Sequence, residues 1–475
     1  MKKREFVLTL TIAVALAGCS LAPAYKPPAT PGATAYKDVG PWIGAQPNDQ
    51  LPRENWWHLY ADTELDQLQT KLIANNADLA AALAHYTQAQ AFSAEARSEL
   101  FPQIGAGAVG QRQRESDNPP PARDLAAPAD YNSYTVGVQA SYEVDLWGRV
   151  RNTVEAGRDN ALAAQADLAS VQLSLQAQLT DSYMQLRGLD QQIALLQQTI
   201  EAYEKALKLT QTLHAGGIVS GLDVSRAQTQ LSDARSQWSQ TVAQRELMQD
   251  AIAVLVGENA SSFSLPAQTA AIAVPVVPLD VPSTLLQRRP DVAAAERRVA
   301  AANAGIGIAR AAWFPSLTLN AQGGFQSTGW ASLLTAPNRV WTLGPTLAYD
   351  VFDGGYRKAT IVAAKAKTDE AGATYRGVVL GAFQQVQDNL ALLDHLGSAS
   401  TDQKSASDAA QHALDLSMTQ YKHGAVSYLD VVQAQTVALQ EQRGLLQLDT
   451  QRLRASVQLV RALGGGWSPD QLARR

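Results

Sequence analysis

Apolar and polar side chains alternate strictly over residues 134–146. Tyr134, Val136, Val138, Ala140, Tyr142, Val144 and Leu146 fall on one side, and Thr135, Gly137, Gln139, Ser141, Glu143 and Asp145 on the other. A period of two predicts a β-strand with one apolar face. The same pattern recurs at Ile104, Ala106 and Ala108, at Leu317, Leu319 and Ala321, and from Trp341 through Leu343, Pro345, Leu347 and Tyr349 to Val351. At roughly 3.3 Å per residue the 134–146 segment covers about 40 Å. That is bilayer-crossing length, and alternation at that length is the weak signature of a transmembrane β-barrel. A long antiparallel sheet over a soluble core is the alternative on the strands alone.

Between the strands the period changes to three and four. Asp62 is a plausible N-cap for a helix reaching about Leu100, with Leu65, Leu68, Leu72, Leu79 and Leu83 on one stripe. No proline occurs between Pro128 and Pro266 or between Pro345 and Pro469, which leaves room for long helices at 149–213 and 356–422. The first would extend about 95 Å at 1.5 Å per residue. Ile193, Leu196, Ile200, Tyr203 and Leu207 step by three and four, and Val432, Leu439, Leu446, Leu453 and Val460 step by seven. Sustained heptads predict coiled-coil packing. The helices break at Gly216-Gly217 and at Gly424 and restart at Ser220 and Ser427, giving helices 220–257 and 427–464.

The plan occurs twice. Residues 142–257 lie over 349–464 at a constant offset of 207, so that Leu222-Asp223-Val224 matches Leu429-Asp430-Val431 and Gly257 matches Gly464. Upstream the offset is 213: Asp78, Ala96-Arg97 and Phe101-Pro102 match Asp291, Ala309-Arg310 and Phe314-Pro315. The six-residue difference sits in the loop between the strands. A period this long is a duplicated architectural unit, not a short solenoid repeat. The first repeat spans 61–263, with strands at 102–116 and 131–147. The second spans 282–467, with strands at 315–328 and 338–353. The proline-bearing segment 264–281 links them, and 468–475 is a tail.

Composition narrows the function. The formal net charge of −5 over 475 residues gives no nucleic-acid footprint. There is no metal-ligand spacing, no phosphate loop and no nucleophile–base set, so neither cofactor nor enzymatic activity is expected. The single cysteine, Cys19, follows Lys2-Lys3-Arg4, a short apolar run and Leu16-Ala17-Gly18. This reads as a secretory signal, 1–18, whose end resembles a lipobox. The resemblance implies cleavage before Cys19 and lipidation of it. Ser20 in place of Asp favours delivery to the outer membrane. Residues 19–60, with seven prolines from Pro23 to Pro52, read as a lipid-anchored extended tether.

Four strands cannot close a barrel, and open edges are forbidden in lipid, so several copies must assemble. The repeat plan, the junction Tyr142-Glu143-Val144-Asp145-Leu146-Trp147-Gly148-Arg149, Leu285-Leu286-Gln287-Arg288-Arg289-Pro290-Asp291, Ala309-Arg310-Ala311-Ala312-Trp313-Phe314-Pro315-Ser316 and Ala462-Leu463-Gly464-Gly465-Gly466-Trp467 resemble the TolC-like outer-membrane efflux family, in its NodT/OprM-type lipoprotein branch. The resemblance covers about residues 56–467. It implies an α+β fold: a twelve-stranded transmembrane barrel in a homotrimer, a long periplasmic α-helical coiled-coil barrel and a small mixed equatorial belt. It also implies a periplasmic membrane-fusion adaptor and an inner-membrane efflux pump of RND, MFS or ABC type as partners, with export of small toxic molecules. A conduit for type I protein secretion shares the fold, and a lipid-anchored coiled-coil scaffold without a pore is a further alternative.

By the same resemblance the periplasmic gate falls at Asp430, Tyr421, Asp223 and Gln433, with Asp223 expected to pair with Tyr421 in the closed state. Val426 stands where some relatives carry an arginine, and Gln433 where an acid is common. The adaptor-docking tips fall at Gly216, Gly217, Ser220, Leu222, Gly424, Ser427 and Leu429. A solvated first turn and plain helix termination are the alternatives for these residues.

Overall fold

The computed structural model describes residues 20–29, 55–114, 130–275 and 288–467. Cys19 with its preceding signal, the middle of the tether, the loop 115–129, the end of the linker and the tail lie outside the described residues. In chain order the elements are a 3-10 turn at Trp56–Tyr60, helices α1 (Thr63–Asn75) and α2 (Ala77–Ser98), strands β1 (Gln103–Arg114) and β2 (Asp130–Glu143), helices α3 (Arg149–Ala215), α4 (Gly221–Leu255) and α5 (Pro290–Ala311), strands β3 (Ser316–Ser327) and β4 (Arg339–Ala348), and helices α6 (Tyr356–Lys422) and α7 (Tyr428–Ala462). Among the described residues, those within 1–28, 86–164 and 295–375 form one compact unit, and those within 29–85, 165–294 and 376–475 form another. No described helix is long and apolar enough to cross a membrane.

The first unit carries a single antiparallel sheet in the order β1-β2-β3-β4. Its register aligns the alternation of all four strands. Ile104 faces Ala140, which faces Ala321, which faces Leu343; Ala106 faces Val138, then Gly323, then Trp341. The adjoining rows are Gly105, Gln139, Gln322 and Thr342, and Gln103, Ser141, Asn320 and Gly344. One face is therefore apolar across the sheet and the other is lined by amides, hydroxyls and glycine. Trp341 is 78% exposed, Leu343 72% and Leu347 67%. A sheet wetted by water on that side would carry a large uncompensated apolar surface; a sheet facing acyl chains needs it. The strands pass closely at Gly137 and Gly324, where a Cβ on Gly324 would lie 2.6 Å from the Gly137 Cα.

Both strand-to-helix junctions depart from the expected strand ends. The alternation runs on to Leu146 and Val351, yet β2 stops at Glu143 and β4 at Ala348. At the first junction the Asp145 carboxylate accepts hydrogen bonds from the backbone N–H groups of Val150 and Arg151 and from the Arg151 Nε. Capping α3 removes Asp145 from the ladder. Asp353 does the same for α6, accepting from Gly355 N, Arg357 N and Arg357 Nε. Trp147 stacks on Phe314 at 4.5 Å and donates its indole N–H to the Pro315 carbonyl, bolting the first repeat to the second.

In the second unit the expected single helix 61–100 is two helices. Asp62 caps α1 through Glu64 N and Leu65 N, but α1 ends at Asn75. Asn76 starts α2 by accepting from Leu79 N, and its side-chain amide donates to the Leu255 carbonyl at 2.8 Å. The second repeat makes the corresponding contact from Arg289 to the Ala462 carbonyl, 3.0 Å. Beside each contact a left-handed glycine closes the repeat: Gly257 (φ +72°) against the Asn75 backbone, and Gly464 (φ +93°) against that of Arg288. The inter-repeat linker is held by a buried cluster. Asp190 accepts from Arg187 (2.8 Å), Arg245 (2.6 Å) and Gln268 N, while the two arginines donate on to the Pro266 and Leu265 carbonyls. A bidentate Arg454–Asp181 pair joins α7 to α3.

Candidate functional site

The two helical hairpins of the second unit, α3–α4 and α6–α7, end in equivalent turns. Each helix stops in the same glycine-dependent cap. Gly217 (φ +75°) donates to His214 O while Ile218 N reaches back to Leu213 O; Gly424 (φ +73°) donates to Tyr421 O while Ala425 N reaches Gln420 O. Both pairs of bonds satisfy carbonyls that the helix end leaves free. Ser220 and Ser427 then start α4 and α7. The Asp223 carboxylate accepts from the Ser220 N–H and hydroxyl, and Asp430 does so from Ser427 at 3.0 and 2.7 Å.

Behind the turns lies a shared apolar core: Tyr203, Leu207, Ala227 and Leu231 of the first hairpin against Tyr421, Tyr428 and Val431 of the second. The Tyr421 and Tyr428 rings lie 5.2 Å apart. The Tyr203 hydroxyl donates to the Gln435 carbonyl at 3.4 Å. Burial, with a smaller contribution from Tyr428, pushes the Tyr203 phenol up to about 12, and burial beside Tyr421 pushes Tyr428 up to about 12.

The structure separates the sequence-derived gate residues. Tyr421 is buried in the core and its hydroxyl has no hydrogen-bond partner. Asp430 and Gln433 are exposed. The expected pairing of Asp223 with Tyr421 is not made. Asp223 is taken up by Ser220 and by Arg226 at 3.4 Å, because a helix-start carboxylate finds its nearest donors within its own turn. Val426 packs against the apolar core. At the tips Ile218 is 72% exposed, Leu222 58% and Leu429 39%, so each turn presents an aliphatic residue outward beside Gly216, Gly217 and Gly424. Sequence reasoning missed the Arg187–Asp190–Arg245 cluster. Arg187 and Asp190 lie three apart on α3 and Arg245 on α4, and the i,i+3 spacing of the first two does not distinguish a buried pair from a solvated one.

Among the described residues, the sheet is four-stranded and amphipathic with β1 and β4 at its edges, and the duplicated helices end in paired hairpin turns. The family model described as "Outer membrane efflux protein" matches residues 68–258 and 281–465. The chain belongs to the outer membrane efflux protein family. It is 32% identical to the outer membrane protein OprJ of Pseudomonas aeruginosa, over 98% of this chain and 97% of that one. It is 33% identical to the probable efflux pump outer membrane protein TtgC of Pseudomonas putida, over 98% and 96%. Among solved structures, the outer-membrane channel OprN superposes with a TM-score of 0.86 at 28% identity, covering 95% of this chain and 100% of that one. The chain is thus an outer-membrane efflux channel protein, and members of its family are channels, not enzymes.

Proposed function

We propose that three copies assemble into one channel. The four-stranded sheets close a twelve-stranded membrane barrel, and the helical hairpins form the periplasmic part of the duct. The observation that carries this reading is the sheet itself, with one apolar face, one amide- and hydroxyl-lined face and an unpaired strand at each edge. Backbone edges left bare in hydrocarbon cost several kcal/mol per unsatisfied group, so closure by further copies is the physical requirement, and the polar face becomes the lumen. The duct receives small toxic molecules from an inner-membrane pump through a periplasmic adaptor. Relatives named for antibiotic, toluene and solvent efflux and for pyoverdine export support that substrate range. The adaptor docks at the hairpin turns, on Leu222, Leu429 and the backbone around Gly216, Gly217, Gly424, Ser220 and Ser427. Asp430, with Gln433 one turn on, faces its symmetry mates at the constriction, while Tyr421 and Asp223 stiffen the turns from behind. Cys19 carries the lipid anchor. The test is native mass spectrometry in detergent followed by planar-bilayer recording. Trimers that conduct support the proposal; monomers, or trimers without conductance, overturn it.

A further inference from the structure

The tips of the two β-hairpins lie at the end of the sheet away from the helices. In an outer-membrane barrel with periplasmic helices, that end reaches the outer leaflet. On the apolar face the two hairpins carry the same two rungs there. In the first hairpin Gly110 faces Tyr134, and one rung further out Arg112 faces Asn132. In the second Gly323 faces Trp341, and one rung further out Phe325 faces Arg339. These rungs are counterparts at the offsets of 213 and 207 that relate the repeats. The inner rung sets an aromatic ring beside a glycine: a Cβ on Gly110 would lie 3.3 Å from the Tyr134 ring. Trp330, 71% exposed, stacks edge-on against Tyr134 with centroids 5.8 Å apart. A belt of Tyr and Trp on a lipid-facing wall marks the boundary between hydrocarbon and head groups. Each hairpin therefore places one arginine just outside that boundary.

We propose that Arg112 and Arg339 bind the phosphate groups of an outer-leaflet glycolipid, a phosphorylated and multiply acylated sugar; this rests on the membrane barrel of the preceding section. Both side chains are exposed. Among the described residues neither guanidinium has a hydrogen-bond or ion-pair partner. The residues directly opposite them, Asn132 and Phe325, are uncharged. The one carboxylate on this face of the four strands is Asp130, which lies opposite Arg114 in the row beyond. The connection 328–338 between β3 and β4 carries no charged residue. An arginine on a lipid-facing wall is costly at the bilayer midplane and tolerated near the interface. Its stem can lie along the apolar surface while the head rises to the phosphates. There the planar fork matches a phosphate group with two parallel N–H donors.

The recurrence of the rung carries the argument beyond a generally basic rim. The first hairpin has its arginine on β1 and the second on β4, so the strand differs between the repeats. The rung and the face do not. A cation that served only solubility could stand on any rung or on the lumen side. A layer of phosphate at one depth requires a cation at one depth, directed outward. Below the arginines, Phe325, Trp341 and Leu343 offer the apolar wall that the acyl chains of the same lipid would cover. Opposite Arg112 the Asn132 amide can both donate to and accept from the sugar hydroxyls and amides that flank such a phosphate. The side of the membrane and the amide together favour a glycolipid over a glycerophospholipid.

Native mass spectrometry of the full-length protein in detergent tests this by lipid titration. The probes are diphosphoryl lipid A, the same lipid after removal of its phosphates, phosphatidylglycerol and inorganic phosphate. Diphosphoryl lipid A is expected to bind the wild-type protein. Its affinity should fall about fivefold in Arg112→Gln or Arg339→Gln, and about 25-fold when both are changed, since the sites are well separated. Dephosphorylated lipid A should bind the wild-type protein as weakly as diphosphoryl lipid A binds the double variant, a comparison that needs no substitution to fold. Equal affinity for the two forms of lipid A overturns the proposal. So does phosphatidylglycerol that binds as tightly, which makes the site one for any anionic lipid, or inorganic phosphate that displaces the lipid at matching concentration. Trimers without a preference for the phosphorylated lipid sink this site alone, whereas spectra containing only monomer remove the barrel on which it rests.

Discussion

Four left-handed glycines separate two physical costs. Gly217 and Gly424, at φ +75° and +73°, have nothing within 4 Å of an added Cβ. Gly257 and Gly464, at φ +72° and +93°, press against backbone. An alanine Cβ at 257 would lie 2.5 Å from the Asn75 carbonyl oxygen, and at 464 it would fall inside the contact radius of the Arg288 carbonyl oxygen, with the carbonyl carbon at 2.8 Å. At the turns, Gly→Ala incurs only the left-handed penalty of about 1–2 kcal/mol, partly offset by about 0.4–1 kcal/mol from the stiffer unfolded chain. At the clasps the same substitution must also move backbone, at about 1–3 kcal/mol. It further strains the adjacent Asn76–Leu255 or Arg289–Ala462 hydrogen bond, for about 1–3 kcal/mol more. Gly257→Ala and Gly464→Ala are therefore expected to destabilise by about 2–7 kcal/mol, and Gly217→Ala and Gly424→Ala by about 0–1.6 kcal/mol. Thermal melts of the detergent-solubilised protein, followed by circular dichroism, compare the four. Equal losses at turn and clasp would refute the reasoning, since backbone angle alone would then account for all of them.

Cys19→Ser is expected to abolish incorporation of radiolabelled fatty acid, and label persisting in that variant would contradict the lipobox reading. Asp430→Ala is expected to lower cation selectivity in single-channel recordings and to relieve block by a trivalent cation added on the periplasmic side. Loss of the contacts to Ser427 should cost only about 1 kcal/mol, and unchanged selectivity and block would leave Asp430 as a helix-start residue alone. Tyr203 and Tyr428 hold their protons up to about pH 12 in the folded tips, against about 10 in an unfolded chain. Their contribution is complete below pH 10 and is lost as pH rises from 10 towards 12. Alkaline unfolding of the hairpins in that window should be blunted by Tyr203→Phe or Tyr428→Phe, read by ultraviolet phenolate absorbance alongside circular dichroism.

The strands were readable because alternation at Tyr134–Tyr142 and Trp341–Leu347 is a local property, and the helix breaks because Gly217 and Gly424 have no substitute at a left-handed cap. The strand ends were not, because Asp145 alternates correctly as a strand residue; only the proximity of Val150 N and Arg151 N makes it a cap. The break at Asn76 carried a signal in the duplication. Its counterpart is Arg289, followed by Pro290, a residue that starts helices and cannot continue them, and carrying that proline back by 213 places the break at Asn76-Ala77. For Asp223 the resemblance supplied a distant partner, Tyr421, whereas within the single chain the serine three residues before it is the nearer one. For Arg187, Asp190 and Arg245 nothing local distinguishes buried charges from solvated ones on a long polar helix.

Trp147 has consequences for how the proposed ring comes apart. Its ring stacks on Phe314 and its N–H reaches Pro315, but the position matching it in the second repeat is Gly354. In the proposed trimer the fused joint carries this bolt, and the joint between copies has a glycine at the matching position. A ring of six identical joints would have no preferred line of fracture, whereas this one has three weak lines and three strong ones. Each polypeptide is then the natural quantum of dissociation, and subunit exchange between rings should move whole four-stranded panels and never a lone hairpin.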